Sequence, residues 1–413
     1  MVLGLVILFT TALTFYSLLR TPSFQKLAGR LAADYITNNF GIEVYLDKLR
    51  ISDMIFLEIE GLQVMDTHGN PLLEVDGLRV RVRELSLKEN HIWIGSVSLD
   101  KPAFFLHRYE SDSLVNLAVV LNTLSAPSED TSSASGEAWK IYCDDLTLDN
   151  ASFGFTDDRK EHTDSIIDFT DLLITEIFLS AADFSLIGDS VAAGIEHLSF
   201  FEKSGFRLND FKASASVSGT GIRARELELK TDATSAFMDL DFLYEGWEGL
   251  SYFLDSVFIQ ARIKESILTL SDIGFFAAEL KPMKDPIMFS GEINGYIRDF
   301  SARDFRFNVG HYTEFNGDIA IMGIPLIDST YFDLNIERLV VSPEDLAGFD
   351  LPLSTPNLQL PDPLMQIGMT AITGTFQGTL QDFSTDLTIV SDAGTVAVNG
   401  ELRASGGVEA FYR

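Results

Sequence analysis

Cysteine is all but missing from this chain: Cys143 is the single thiol in 413 residues. One thiol excludes an internal disulfide, a cysteine-rich zinc site and an iron–sulfur cluster. In IYCDDLTL it alternates with Ile141, so its expected role is a small apolar side chain buried on a strand. Cations are also scarce, with 30 Lys and Arg against 61 Asp and Glu, a formal net charge of −31. A surface this acidic repels phosphate backbones and excludes nucleic acid as a partner. It also disfavours a body lying flat on an anionic bilayer, so any membrane contact should be local and apolar. Proline is sparse, yet Pro352, Pro356, Pro361 and Pro363 crowd into residues 350–363, a break that no central strand tolerates.

Catalytic signatures are missing as well. There is no P-loop, GxSxG elbow or CxxC pair, and Gly219 and Gly221 lack the third glycine of a dinucleotide fingerprint. The histidines, His68, His91, His107, His162, His197 and His311, include no HxH or HxxxH spacing, so no metal site is expected. Acidic neighbours such as Asp144–Asp145 and Asp157–Asp158 point to opposite faces of a strand, unlike the facing carboxylates of a glycosidase. No catalytic residue and no cofactor are expected.

What is present begins with residues 1–19, which carry no charge. As a helix they nearly span a hydrocarbon core of about 30 Å. No basic leader and no small-x-small cleavage site appears before Arg20, so a retained transmembrane helix over 1–20 is predicted rather than a cleaved signal. Residues 21–41 predict a short amphipathic helix, with Thr21 as cap, Pro22 in the first turn and Gly41 at the end. Its apolar face comprises Phe24, Leu27, Leu31 and Tyr35, which can lie on lipid or close the end of a β-core. Arg20, Lys26 and Arg30 would place this flank in the cytoplasm by the positive-inside rule. The large acidic β-rich remainder argues for export, and that reading is preferred.

From Ile42 onward the period falls to two, the mark of sheets wet on one face. Leu78, Val80 and Val82 point one way and Arg79, Arg81 and Arg83 the other. Phe305 and Phe307 alternate with Arg306, and Leu334 and Ile336 share a face further on. The expected organisation is a β-segment over 42–124 ending in a helix at 112–124, a flexible loop at 125–138, and a central β-segment over 139–349. The Pro-rich break at 350–363 and a further, truncated β-repeat over 364–413 complete it. The helix at 112–124 would bury Leu114, Leu117, Ala118, Leu121 and Leu124 behind a cap at Asp112 or Ser113, and a second short helix would start at Ser342 and Pro343. GEINGYIRDFSA at 291–302 aligns with GTFQGTLQDFST at 374–385, which suggests stacked units. The fold class is therefore mainly β: the two N-terminal helices, then an elongated, curled antiparallel sheet forming an apolar groove. The plainer alternative is an antiparallel β-protein with no shared unit.

Several stretches carry a resemblance: NNFGIEVYLDKLRI at 38–51, LEIEGLQVMDTHGNPLLEVDGLRVRV at 57–82, the segments at 92–124, 139–158 and 253–280, and the two GxxxGxxxDFS stretches. In their order they resemble the N-terminal region of the bacterial TamB family, within the AsmA-like envelope proteins, closest to the form in Bacteroidota. The resemblance implies a bridge-like carrier, held in the bacterial inner membrane by one helix with its body in the periplasm, moving phospholipid toward the outer membrane. It implies phospholipid acyl chains and the inner membrane as partners, and a BamA-like outer-membrane protein through a C-terminal region not recognisable in this sequence. The groove candidates are Leu78, Val80, Val82, Phe305, Phe307, Leu334 and Ile336. An envelope scaffold for outer-membrane protein assembly without lipid transfer is the alternative, and an unrecognised envelope enzyme a second one.

Overall fold

The computed structural model describes residues 42–52, 55–124, 139–163, 166–276, 278–324, 329–348, 368–404 and 410–412, with Thr21, Leu27, Gly29, Arg30, Leu31, Asp34 and Thr37. The expected transmembrane helix, the residues Phe24 and Tyr35, the loop at 125–138 and the Pro-rich break lie outside the described residues. Among those described, no helix is long and apolar enough to cross a membrane. The chain is mainly β, and it divides into two compact units, Met1–Arg207 and Leu208–Arg413, inside the segment 139–349.

The first unit holds β1 (Val44–Ser52), β2 (Phe56–Met65), β3 (Pro71–Ser86), β4 (His91–Asp100), β5 (Ala103–Arg108), β6 (Lys140–Asp157), β7 (Asp171–Ile187) and β8 (Ser190–Glu202), with helix α1 (Asn116–Leu124) between β5 and β6. β1, β2 and β3 form an antiparallel run. β4 and β5 both pair antiparallel with β3 and parallel with β6, in line with each other and broken at Lys101 and Pro102. This corrects the expectation of a wholly antiparallel sheet. The connection from β5 to β6 has 31 residues, 109–139, a length that permits the return a parallel pair requires. β7 and β8 then resume antiparallel order.

Helix α1 starts later than the spacing suggested, because Asn116 supplies the decisive hydrogen bonds. Its Oδ1 accepts the N–H groups of His107 (3.0 Å) and Leu117 (2.8 Å), and its Nδ2 donates to Asp66 Oδ2 (3.0 Å) and the Phe105 carbonyl (3.2 Å). Leu117 and Val120 pack against Ile42, Leu72, Phe104 and Leu106, while Leu114 and Leu121 of the expected apolar face stay exposed. Asp66 also accepts the N–H groups of His68 and Asn70 and the Tyr109 hydroxyl. Burial pushes the Asp66 carboxyl up, but these hydrogen bonds, with that of Asn116, outweigh it and hold the group below the ordinary carboxylate range. Burial and the bond to Asp66 push the Tyr109 hydroxyl to about 12. Asn116→Ala should lower the unit's stability by about 2–3 kcal/mol in urea unfolding, since it removes four hydrogen bonds at once and leaves Asp66 Oδ2 with the Tyr109 hydroxyl as its remaining donor. The Asp66 contribution is full above its unfolded pKa of about 4 and disappears as pH falls through the lowered folded value. Asp66→Asn should therefore flatten the acid limb of a stability–pH profile; an unchanged limb would contradict the assignment.

The second unit is an antiparallel meander: β9 (Arg207–Ser218), β10 (Gly221–Lys230), β11 (Ser235–Leu243), β12 (Phe258–Thr269), β13 (Pro286–Gly295), β14 (Asp299–Val309), β15 (Thr313–Met322), β16 (Tyr331–Val341), β17 (Thr370–Gly378), β18 (Phe383–Ser391), β19 (Gly394–Ala404) and β20 (Ala410–Tyr412). Each strand pairs with the next. Helix α2 (Pro343–Gly348) follows β16 and begins as expected, with Pro343 in its first turn and the Ser342 hydroxyl accepting the Asp345 N–H at 3.4 Å. Both aligned stretches of the internal repeat occupy the same structural place. Gly295 and Gly378 end β13 and β17 with φ of 138° and 133°, and the turns close through Tyr296 N–H to Asp299 O (2.9 Å) and Thr379 N–H to Asp382 O (2.8 Å).

Candidate functional site

Because a strand turns alternate side chains to one face, register decides whether apolar residues on neighbouring strands meet. In the second unit they do. One row runs through Ile222, Phe242, Ile259, Gly295, Phe300, Ile321, Phe332, Gly378, Phe383 and Leu402. Beside it runs Ala224, Leu240, Ala261, Ile293, Ala302, Ile319, Leu334 and Phe376. A third contains Phe305, Gly317, Ile336, Gly374, Leu387 and Val398, and a fourth Phe289, Phe307, Phe315, Leu339, Ile372, Ile389 and Val396. Four of the seven predicted groove residues, Phe305, Phe307, Leu334 and Ile336, thus share one face.

The first unit repeats the arrangement. Leu49, Ile59, Leu78, Leu99, Leu148, Leu179 and Leu198 form one cross-strand row, and Ile51, Leu57, Val80, Val97, Leu146, Ala181 and Ile195 the next. Val82 stands opposite Ile94, which meets Cys143. The Cys143 thiol is buried and donates to the Asp145 carbonyl at 3.2 Å, and burial pushes its pKa up. Arg79, Arg81 and Arg83 point to the other, exposed face, where Arg83 meets Asp144 at 2.6 Å. Of the predicted helical face, Leu27 and Leu31 are helical and exposed, whereas Gly29 is buried against Leu46 and Leu49 of β1.

These faces differ from the inside of a filled sandwich in how deeply they are buried. Leu78, Val80, Val82, Leu99, Leu146, Leu148, Phe300, Phe305, Phe307, Ile319, Leu334 and Leu339 are half-buried. Several of the buried positions are alanines, Ala181, Ala224, Ala261 and Ala302, small side chains screened by larger neighbours in the same sheet; Leu227, Ile263, Phe315 and Ile336 are among the larger ones. The opposite face is wet and charged. Arg225 grips Asp241 through two bonds of 2.9 and 2.7 Å, Arg262 meets Glu292 at 2.9 Å, and Arg50 meets Glu58 at 2.6 Å. Each exposed pair contributes about 1 kcal/mol at most.

One local device keeps the side chains of these rows on one face, and simple alternation missed it. Register slips by one residue in β10 between Ala224 and Leu227, in β12 between Ile263 and Ser266, in β14 between Ala302 and Phe305, and in β16 between Ile336 and Leu339. Each bulge sets two charged residues between two inward-facing ones: Arg225–Glu226, Lys264–Glu265, Arg303–Asp304 and Glu337–Arg338. Glu226 and Asp304 take positive φ of 51° and 47°, as do Asn150 and Glu176 at the bulges of β6 and β7. Asparagine and aspartate tolerate that region best among non-glycine residues, whereas Glu226 and Glu176 are held there by the bulge itself. Two consecutive charged residues inside an otherwise alternating strand were the available signal.

Two of the perturbed carboxylates close turns: Asp168, held at about 2 first by the Thr170 hydroxyl, accepts the N–H groups of Thr163 and Thr170, and Asp345 accepts those of His311, Tyr312 and Thr313; Asp157 and Glu60 are held below the ordinary range chiefly by Arg159 and Lys48. Among the described residues no three His, Cys, Asp or Glu side chains gather as a metal site. No family model, curated protein or solved structure matches the chain.

Proposed function

We propose that this protein carries phospholipid acyl chains along its apolar sheet faces. It does so as a non-enzymatic, inner-membrane-anchored and periplasmic member of the TamB and AsmA-like kind, with each face curling into a groove. The observation that carries the reading is the set of uninterrupted cross-strand apolar rows that remain half-buried. Removing a methylene from water gains about 0.8 kcal/mol wherever along the rows it lies. Many near-equivalent weak contacts let a chain slide, whereas one deep pocket would trap it. Headgroups stay in water at the margins, and residues 1–20 hold the body to the inner membrane. Contact with a BamA-like outer-membrane protein belongs to the same reading.

The test is purification of the full chain in mild detergent, followed by solvent extraction and mass spectrometry. Phospholipid at stoichiometric amounts or above supports carriage. Protein recovered without lipid overturns it, and recovery of an outer-membrane protein in its place favours the scaffold.

A further inference from the structure

One end of the first unit's sheet is built unlike the other. At the far end, α1 lays Leu117 and Val120 over Ile42 and Leu72 and closes the apolar face. At the near end nothing comparable covers it among the described residues, and the face runs out to the strand tips. Leu85 pairs with Ile92, which meets Ile141 and then Leu186, an apolar row at the very margin of the sheet.

Turns at a sheet margin ordinarily carry polar residues, since they stand in water. Here the β3–β4 turn presents Leu87 with 74% of its surface exposed, the start of β6 presents Trp139 at 46%, and Ile187, the last residue of β7 and turned to the opposite face from Leu186, is 44% exposed. The three tips adjoin. Lys140 N–H donates to the Asn90 carbonyl at 2.9 Å, tying the first to the second, and Lys140 stands opposite Ile187 in register. In a chain with so few cations, Leu87 and Trp139 are each followed directly by lysine, Lys88 and Lys140. The nearby acids are Glu84 and Glu89, 3.3 and 3.7 Å from the ring nitrogens of His91, and the exposed Asp189 of the β7–β8 turn.

We propose that this margin docks on a phospholipid bilayer of zwitterionic surface. Leu87, Trp139 and Ile187 enter the interfacial layer, and Lys88 and Lys140 reach the lipid phosphates. Tryptophan at the headgroup level and lysine with its charge in water are the pairing such an interface favours. The body's net charge of −31 directs the contact to zwitterionic rather than anionic lipid.

Brominated-lipid quenching tests it on the full chain with Trp93→Phe and Trp247→Phe, so that Trp139 is the one tryptophan. Phosphatidylcholine vesicles brominated high on the acyl chain should remove about half of the Trp139 emission if the ring sits at the interface. Adding Leu87→Asp and Ile187→Asp should abolish most of that quenching while phospholipid per folded protein stays unchanged. Absence of quenching overturns the docking, as does quenching that survives the tip substitutions. A parallel fall in quenching and bound lipid also overturns it, since the quencher is then carried lipid. Tip-dependent quenching in a protein that carries no lipid leaves the docking standing and removes the carriage reading.

Discussion

Phe307→Asp and Phe305→Asp are expected to lower phospholipid per folded protein several-fold, while Arg306→Asp leaves it unchanged. Phe307 stands between Phe289 and Phe315 in one row, its ring stacked on that of Phe315 at 5.5 Å and 13°. The Phe305 ring lies 6.1 Å from Phe307 and 6.5 Å from Phe315, so the three make one aromatic surface. A carboxylate there is hydrated and interrupts the apolar track on which an acyl chain would rest. Arg306 lies between them in sequence but turns to the exposed face, opposite Ser290 and Asn316. Both phenylalanines are half-buried, so the introduced carboxylate keeps some water, and losing each ring costs about 1–2 kcal/mol, within what a domain tolerates. Circular dichroism and gel filtration verify the fold. Wild-type lipid content in folded Phe305→Asp and Phe307→Asp proteins would falsify the assignment of these rings to a lipid track.

The largest effect on stability is expected at Gly374. Its φ of 126° is open to almost no other residue, and an added Cβ would lie 2.0 Å from the Asp386 carbonyl oxygen. Backbone strain and the forced parting of β17 from β18 add to about 3 kcal/mol or more in Gly374→Ala. Gly394 supplies the control. Its φ is 135°, yet nothing lies within 4 Å of the added atom. Gly394→Ala should cost the strain alone, about 1–2 kcal/mol. For a unit of this size the difference corresponds to a gap of several degrees in melting temperature, about 2–4 °C per kcal/mol. Equal melting of the two variants would show that the close approach of β17 and β18 at Gly374 carries no weight.

Much of the local architecture was legible. Alternation at Leu78–Arg83 and at Phe305–Phe307 marks strands and divides their faces, because side-chain direction in a strand follows from position alone. The GxxxGxxxDFS stretches were a thin signal, five matches in a chosen window, and they proved to be two copies of one turn. The start of α1 was misjudged because Asn116 acts through Asp66, fifty residues away, where no local spacing reaches. The bulges escaped for the opposite reason. Their quartets are local, but a strict period of two treats Arg303–Asp304 as a lapse in the pattern rather than as the residues that hold Ala302 and Phe305 on one face.

By itself the sequence determined that the chain forms long strands, that each has an apolar and a charged side, and that the surface is acidic, since these follow from residue type and spacing. Only the tertiary structure decided which strands meet. β4 and β5 lie parallel to β6, as the length of the connection 109–139 permits, and pairing partners are chosen by contacts far apart in sequence. It alone decided also that Leu78, Phe307 and Leu334 stay half-buried: the pattern of a strand fixes where a side chain points, but its burial depends on what other segments bring to the opposite side.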